Sequence, residues 1–334
     1  MIVVRSPEEL AGGEPLGVTV GVFDGVHVGH ADVFSALRAG AAGEMRTLGV
    51  TLDPHPLEVL RPEIAPKLLS TAEERARLIA ALPGAPDALL IRGFDRETAA
   101  LSPGDFLRSL LPSDAELKLL VVGYDFRMGR DRSGGFDELC EIGSRRGFDV
   151  VRVPATMDGG EPVSSSRVRT HLEAGDLREA NRLSGHPYPV QGTVRSGRGI
   201  GSGLQFPTAN VDVGDDRKLL PEFGVYAARV AILPDPRPLP AVLNWGKRPT
   251  FGPSETVLEV HLLDFEGDLT GHELEVRFVD RIREERQFDG PEALREQIAR
   301  DVTEARERLQ EGSESPGRPG NPLSGLGPSD SFPG

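Results

Sequence analysis

Residues 21–30 read Gly-Val-Phe-Asp-Gly-Val-His-Val-Gly-His, and this stretch decides how the first half of the chain folds. It overlaps an apolar run at 16–23, and Val33, Phe34 and Leu37 follow it at helical spacing. The pattern predicts a buried strand, a glycine turn and a helix. Open α/β sheets bind ligands at the carboxyl end of such a strand, where a helix amino terminus favours phosphate.

The turn carries two glycines and two histidines that suit a phosphate. Gly25 and Gly29 let the backbone approach a ligand closely, and His27 and His30 are able to donate hydrogen bonds as negative charge builds. Taken alone, these residues also fit an ordinary tight turn whose histidines cap or pack. A metal site is less favoured because no third ligand lies nearby. The position between a strand and a helix favours the phosphate interpretation.

The first half of the chain alternates short apolar runs with helical patterns. Besides the strand at 16–23, four more are predicted, at 46–52, 88–91, 117–123 and 148–153. Capping boxes at 70–73 and 102–105 predict the starts of two intervening helices. We therefore expect residues 1–184 to form an α/β domain built on a doubly wound parallel sheet.

The second half changes character after residue 185. Strand patterns now follow one another without helices between them, at 190–195, 225–232, 241–244, 256–263 and 273–280. One helix follows them, with apolar residues at helical spacing from Leu294 to Leu309. We expect residues 185–311 to form a small antiparallel β-barrel domain with a C-terminal helix. The tail at 312–334, mostly Gly, Pro and Ser, is expected to be disordered.

The composition sets the broad class of protein. A chain of 334 residues is long enough for two domains, and 38% apolar with 27% charged residues is typical of a globular protein. The net charge of −14 disfavours nucleic acid and anionic membranes as partners. Cys140 is the single cysteine, which excludes an internal disulfide framework. Neither a signal peptide nor a membrane-spanning run is evident, so we expect a cytoplasmic protein.

A second candidate anion site lies at 163–169, which reads Val-Ser-Ser-Ser-Arg-Val-Arg. Val168 and Leu172 predict the buried side of a helix that begins here. Hydroxyls and unpaired N–H groups at the helix start, with Arg169 one turn further on, suit a pyrophosphate leaving group. Alone, such a run is more often an N-cap with surface arginines.

The second half carries its own candidate chemistry. Thr208 and Asn210 are two residues apart on an extended segment, so their side chains share a face and suit Mg²⁺. Glu259 interrupts an alternating strand on the side opposite Leu258 and Val260, where it would act as a base on a substrate hydroxyl. Without context, the same glutamate is a solvent-facing strand residue.

The segments 21–30 and 163–169 together resemble the HxGH nucleotidyltransferase superfamily. With Asp-Pro-His-Pro-Leu-Glu-Val-Leu at 53–60, Gly-Phe-Asp at 93–95 and Val-Gly-Tyr-Asp-Phe-Arg-Met-Gly at 122–129, the first half is similar to the adenylyltransferase module of prokaryotic bifunctional riboflavin kinase/FMN adenylyltransferases. The resemblance implies that His27 and His30 contact the phosphates of ATP and take part in catalysis with Arg169. It also implies further ATP- or flavin-binding residues, namely Phe23, Asp24, Gly25, Gly29, His55, Asp125, Phe126, Ser165 and Ser166.

The second half resembles the riboflavin kinase domain of the same family. The matching segments are 207–210, 220–226, 244–251, 259–269 and 281–288, in the expected order. The resemblance implies that Thr208 and Asn210 coordinate Mg²⁺ with ATP, and that Glu259 deprotonates the 5′-hydroxyl of the ribityl chain. It also implies ATP- or flavin-binding roles for Gly201, Asn244, Arg283 and Phe288.

The sequence leaves three functions open. One chain phosphorylates riboflavin to FMN and adenylylates FMN to FAD, with ATP as co-substrate. Alternatively, it only adenylylates FMN and the barrel is a flavin-binding module, an option raised by Ser202, Gln205 and Thr270, which depart from the family pattern. A third possibility is a non-catalytic flavin or nucleotide sensor. The oligomeric state is not indicated.

Overall fold

The computed structural model describes residues 1–10, 13–130, 133–195, 206–247 and 256–311. Gly201, Ser202 and Gln205 lie outside the described residues, as does the 312–334 tail. None of the helices in the described ranges has the length and apolar character that crossing a bilayer requires.

The first half is built on a parallel sheet. Its strands are β1 (Ile2–Val4), β2 (Pro15–Gly21), β3 (Arg46–Asp53), β4 (Ala88–Gly93), β5 (Glu116–Gly123) and β6 (Asp149–Val153). They are ordered β1-β4-β3-β2-β5-β6, so the strand order reverses between β2 and β5. The doubly wound sheet is thus confirmed, with β2 at its switch point, which is where such sheets bind ligands. The edge strand β1 was not predicted because three residues are too few to show a period.

Helices cover the sheet and continue towards the second half. They are α1 (Val28–Ala41), α2 (Pro56–Leu60), α3 (Ala72–Ala80), α4 (Arg96–Ala99), α5 (Pro103–Arg108), α6 (Phe136–Arg146), α7 (Ser165–Glu173) and α8 (Leu177–Ser184). A two-stranded hairpin, β7 (Met157–Asp158) with β8 (Glu161–Pro162), precedes α7.

One predicted helix start is shifted by a residue. Thr71, not Ser70, is the N-cap of α3, since its hydroxyl accepts from the Glu74 amide at 3.2 Å while Glu74 accepts from the Thr71 amide at 2.9 Å. The capping box predicted at 70–73 is therefore wrong, and the Ser70 hydroxyl bonds Asp24 instead. The predicted start of α5 is confirmed, with Ser102 accepting from the amide of Asp105.

The second half is a closed antiparallel barrel. Its strands are β9 (Tyr188–Arg195), β10 (Ala209–Asp212), β11 (Gly224–Ile232), β12 (Leu239–Lys247), β13 (Thr256–Leu262) and β14 (Glu273–Arg283), and α9 (Pro291–Glu311) follows. Closure runs in the order β10-β13-β12-β11-β14-β9. Val302, Ala305 and Leu309 of α9 pack against the outside of β11 and β12. The predicted barrel and C-terminal helix are confirmed.

Two helices of the first half pack into the apolar core of the barrel. Val168 and Leu172 of α7 and Leu183 of α8 lie in the same buried cluster as Val190 and Phe278 of the barrel. The division predicted between residues 184 and 185 therefore crosses a continuous packed region. The division into two domains at that point remains a prediction.

Candidate active sites

The turn after β2 places its backbone in conformations that few residues adopt. Phe23 and Val26 have φ values of +52° and +45°, and Gly25 has a φ of +77°. A Cβ atom at position 25 would lie 2.8 Å from the side chain of Leu69, so both the conformation and the space require glycine. His27 is the N-cap of α1. The turn therefore brings the first histidine to a helix amino terminus at the carboxyl edge of the sheet.

The two histidines of the turn lie against each other. Their rings stack with centroids 3.6 Å apart and an angle of 17°, and the edge of Phe23 meets His30 at 5.2 Å. His27 is 6% exposed, whereas His30 is half-buried. Within the described residues, the Nδ1 atoms of both rings are buried without a hydrogen-bond partner. Each ring thus has a buried polar atom whose hydrogen-bonding capacity is unused at this point of the fold.

Both imidazoles are neutral at pH 7. Burial lowers the pKa of His27 to about 4, although the nearby carboxylate of Asp24 opposes the change. Burial, and after it the neighbouring His27, lowers the pKa of His30 well below its ordinary value. A stacked, desolvated pair cannot readily carry two positive charges, so the two rings are present as neutral hydrogen-bonding groups.

Asp24 orders the turn from within the protein. Its carboxylate is 2% exposed and accepts hydrogen bonds from the Leu69 amide at 3.0 Å, the Ser70 amide at 2.8 Å and the guanidinium of Arg169. The buried guanidinium of Arg75 lies 4.0 Å away. A ligand-binding role for Asp24 stays a prediction, and its contacts show that it connects three separate segments.

The start of α7 meets the same turn. Ser164 caps this helix, and the hydroxyl of Ser165 donates to the carbonyl of Asp24 at 2.8 Å. Arg169 also donates to the carbonyl of Lys67 at 2.8 Å. The hydroxyl-rich helix start and the histidine turn, more than a hundred residues apart in sequence, therefore form one site. Ser166 is exposed in the first turn of the helix.

The other predicted residues of the first site lie around it. His55 caps α2 by accepting from the Leu57 amide at 3.1 Å, and burial lowers its pKa. Asp24 and Arg169 also act on that pKa, which places His55 within electrostatic reach of the turn. Asp125 and Phe126 follow β5 at the same edge of the sheet, where Asp125 is exposed and Phe126 packs partly against the core.

His186 contributes to the first site without having been predicted to do so. It follows Gly185 in the short segment between α8 and β9. Its Nε2 lies 3.0 Å from the carbonyl oxygen of Gly25, and the side chain is half-buried. A single histidine after a glycine gives no periodic signal, so only the packed structure reveals this contact.

The second site follows from the register of three neighbouring barrel strands. Glu259 on β13 pairs with Asn210 on β10 and with Asn244 on β12. Leu258 and Val260 are buried in the barrel, so the alternation of side chains places Glu259 on the outer face. Asn210 and Asn244 share that face as direct cross-strand neighbours.

His261 holds the segment that leads into β10. Its Nδ1 lies 2.8 Å from the carbonyl oxygen of Pro207, and its ring meets the edge of Phe206 at 5.5 Å. His261 and Glu259 are two residues apart and share a face. The contact fixes Thr208, which is exposed two residues before Asn210, on the side of the barrel where Glu259 lies. Sequence reasoning did not single out His261.

The donor atoms at the second site fit Mg²⁺ shared with a substrate. Thr208, Asn210 and Glu259 offer hydroxyl, amide and carboxylate oxygens, the ligand type that Mg²⁺ prefers. No cluster of three or more His, Cys, Asp or Glu suited to a metal exists in the ranges that the structure covers. Mg²⁺ commonly takes one or two protein ligands and completes its shell with phosphates and water. The residues therefore fit an ion that arrives with ATP.

Two residues that were predicted to bind ATP or flavin, Arg283 and Phe288, lie beside α9. Asp301 accepts from the guanidinium of Arg283 at 2.7 and 3.0 Å, so this arginine joins β14 to the C-terminal helix. Phe288 lies under the guanidinium groups of Arg283 and Arg286, at 5.7 and 5.0 Å. Binding roles for Arg283 and Phe288 stay predictions.

A cavity of about 570 Å³ opens beside Asn210. Lys67 and Lys218 contribute to its wall, as do Asp212, Leu220 and Trp245. The space thus adjoins Asn210, one of the two predicted Mg²⁺ residues, and is lined in part by Lys67 of the first half of the chain.

The fold and its two sites define a class of protein in which an HxGH nucleotidyltransferase sheet is joined to a kinase-type barrel. Residues 12–167 match the family model described as FAD synthetase, and residues 184–309 match the one described as Riboflavin kinase. The bifunctional riboflavin kinase/FMN adenylyltransferase of Escherichia coli strain K12 is 39% identical over 291 residues, which is 87% of this chain and 91% of that protein. The Pseudomonas fluorescens protein of the same name is 39% identical over 290 residues, 86% of this chain and 91% of the relative.

A solved structure covers nearly the same length. The crystal structure from Streptococcus pneumoniae titled a macrolide-efflux protein superimposes with a TM-score of 0.77 and 27% identity, covering 92% of this chain and 99% of that one. The chain belongs to the bifunctional riboflavin kinase/FMN adenylyltransferase family. The family resemblance seen in the sequence is thereby confirmed.

Proposed function

We propose that this chain is a bifunctional transferase that phosphorylates riboflavin to FMN and then adenylylates FMN to FAD, using ATP in both steps. The proposal is carried by one observation: each family motif set, scattered along the sequence, is assembled into its own site. The first site joins the histidine turn to the start of α7, and the second aligns Asn210, Glu259 and Asn244 across three strands. The substrates are riboflavin, FMN and ATP.

In the first site, an oxygen of the FMN phosphate attacks the α-phosphorus of ATP. The new P–O bond forms as the bond to the β-phosphate breaks, and pyrophosphate leaves. His27 and His30 donate hydrogen bonds to the phosphate oxygens as their charge grows. The N–H groups at the start of α7, with Ser165, Ser166 and Arg169, bind the departing pyrophosphate. The residues act by alignment and charge stabilisation, without a covalent intermediate.

In the second site, Glu259 accepts a proton from the 5′-hydroxyl of riboflavin. The hydroxyl oxygen then attacks the γ-phosphorus of ATP, and ADP leaves. Asn210 and Asn244, one on each side of Glu259, orient the substrates, which is the main requirement of such transfers. Mg²⁺ held by Thr208 and Asn210 supplies charge neutralisation for the phosphates when it is bound.

The charge of the chain limits its possible partners. The net charge of −14 disfavours nucleic acid and anionic membranes as partners, and we expect the protein to act in the cytoplasm. Its oligomeric state is left open.

The decisive assay incubates the purified chain with ATP and Mg²⁺ plus either riboflavin or FMN and separates the flavins by chromatography. The proposal requires FMN and FAD from riboflavin. FAD formed from supplied FMN only would instead support the adenylyltransferase with a non-catalytic barrel. Flavin binding without ATP turnover would support the sensor.

Two substitutions separate the sites. His27→Ala should abolish most FAD formation from FMN and spare riboflavin phosphorylation, whereas Glu259→Gln should do the reverse. His272→Ala and Glu266→Gln, at exposed positions of the barrel, are the matched controls. Full FMN adenylylation by His27→Ala would show that the histidine is wrongly assigned.

A further inference from the structure

The side chain of a lysine from the barrel half is completely enclosed at the junction of the two halves. The Lys218 ammonium donates to Glu74 Oε2 at 2.6 Å, to the Leu69 carbonyl at 2.6 Å and to the Pro189 carbonyl at 2.8 Å. The face of the Tyr188 ring lies 4.4 Å away. The side chains of Lys218 and Glu74 are both 0% exposed. All three N–H donors of the ammonium are thus used inside the protein.

The segment that Lys218 binds is the one that holds Asp24. The Leu69 carbonyl accepts from Lys218, and the Leu69 amide donates to Asp24 Oδ2 at 3.0 Å. The adjoining Leu68 forms a two-way backbone bridge to the barrel segment, at 2.8 Å to the Arg217 carbonyl and 2.8 Å from the Leu219 amide. One side of the segment at 68–69 therefore faces the barrel, and the other side faces Asp24 and the first site.

Asp24, whose position depends on the Leu69 amide, contacts the groups that bind ATP in the proposed function. Its carboxylate pairs with Arg169, and its carbonyl accepts from Ser165. The residues from Asp24 to His27 are contiguous, so a shift of the carboxylate moves the histidine turn. A second contact from the junction, between His186 and the Gly25 carbonyl, acts on the same turn.

We infer that Lys218 is a positioning residue for adenylyl transfer, contributed to the first site by the kinase half of the chain. The inference rests on the proposed function. A buried ion pair adds little net stability compared with an apolar pair of similar volume, so stability alone gives weak reason for this arrangement. Placing an ammonium against the Leu69 carbonyl has a local consequence instead, since it fixes the segment of chain on which Asp24 depends.

The test removes both charges together, because Lys218→Met alone leaves Glu74 buried without its partner and risks unfolding. In the double variant Glu74→Gln/Lys218→Met, the new side-chain amide still offers one oxygen to the two backbone N–H groups, of Gln191 and Thr71, that donate to Glu74 at 2.8 and 2.9 Å in the parent protein. The matched control is Asp235→Asn/Arg237→Met, which removes an exposed ion pair from the same half of the chain.

Both activities are measured on the same preparations of the full chain, with separate supplies of FMN and riboflavin. We expect kcat for FMN adenylylation to fall about tenfold or more, as a misplacement of the order of 1 Å produces. The KM for FMN and the rate of riboflavin phosphorylation should stay within about twofold of the parent, and the control should match the parent in both reactions.

Unchanged adenylylation in the double variant would overturn the inference. A parallel fall of both activities would also overturn it, since Lys218 would then serve only the general packing of the barrel. The parent protein distinguishes this from a failure of the proposed function, because a parent that makes no FAD from FMN refutes the activity itself.

Discussion

Acid should destabilise this protein partly through His27, and His27→Gln measures the effect. The folded pKa of His27 is about 4, against an ordinary value of 6.5. Between these values the unfolded chain binds a proton that the folded chain excludes. Stability therefore rises with pH across this window and is lost as the pH falls through it. The contribution of His27 is fully present above its unfolded pKa.

The magnitude follows from the two pKa values. At pH 5 the unfolded histidine is almost fully protonated and the folded one almost fully neutral. Because pH 5 lies about 1.5 units below the unfolded pKa, protonation of the unfolded chain lowers the free energy of unfolding by about 2 kcal/mol. We expect urea unfolding of the parent between pH 7 and pH 5 to show a loss larger by about 2 kcal/mol than that of His27→Gln. The effects of titrating groups that do not contact His27 cancel in this comparison, whereas the pKa of His30, which His27 helps to lower, changes with the substitution.

The control for this measurement is His272→Gln, at an exposed position. This substitution leaves the stacked pair in place and shows what the loss of an exposed histidine does by itself. If His27→Gln loses as much stability on acidification as the parent, the ring of His27 is not desolvated as described, and the argument for a neutral histidine pair fails.

Three further substitutions test other parts of the structure. Gly25→Ala, at a φ of +77°, should lower stability by about 1–3 kcal/mol and reduce FAD formation; an unchanged melting temperature would contradict the described turn. His261→Phe keeps an aromatic ring but loses the hydrogen bond to Pro207, so the KM for ATP in riboflavin phosphorylation should rise severalfold while adenylylation is spared. A KM for ATP equal to that of the parent would show that His261 is not part of the site. Arg283→Met leaves Asp301, which is 2% exposed, without its main partner and should cost about 3–5 kcal/mol in urea unfolding; a loss under about 1 kcal/mol would argue against the ion pair.

Much of the fold is predictable from local pattern. The strands at 46–52 and 225–232 appear as β3 (Arg46–Asp53) and β11 (Gly224–Ile232), because both segments are long and mostly apolar, with Leu and Val in β3 and Val, Ala and Ile in β11. The short strands β1 and β10 were not predicted, since three or four residues show no period. The capping error at Ser70 has a tertiary cause, as the hydroxyl is occupied by Asp24, 46 residues away in sequence.

The candidate sites also contain features that the sequence predicts and contacts that it does not. The histidine turn and the start of α7 are contiguous motifs, so their chemistry is readable in the sequence. The roles of Lys218, Glu74 and His186 are not, because each depends on which surfaces meet when the two halves pack. A lysine and a glutamate 144 residues apart predict two solvated charges, and only packing makes them partners.

The buried pair between Glu74 and Lys218 also limits how this protein is re-engineered. A chimera that combines either half with a foreign counterpart lacking the complementary charge would leave the Glu74 carboxylate or the Lys218 ammonium buried without its partner. Successful recombination must therefore exchange both residues as a set, or replace both with hydrocarbon side chains of similar bulk.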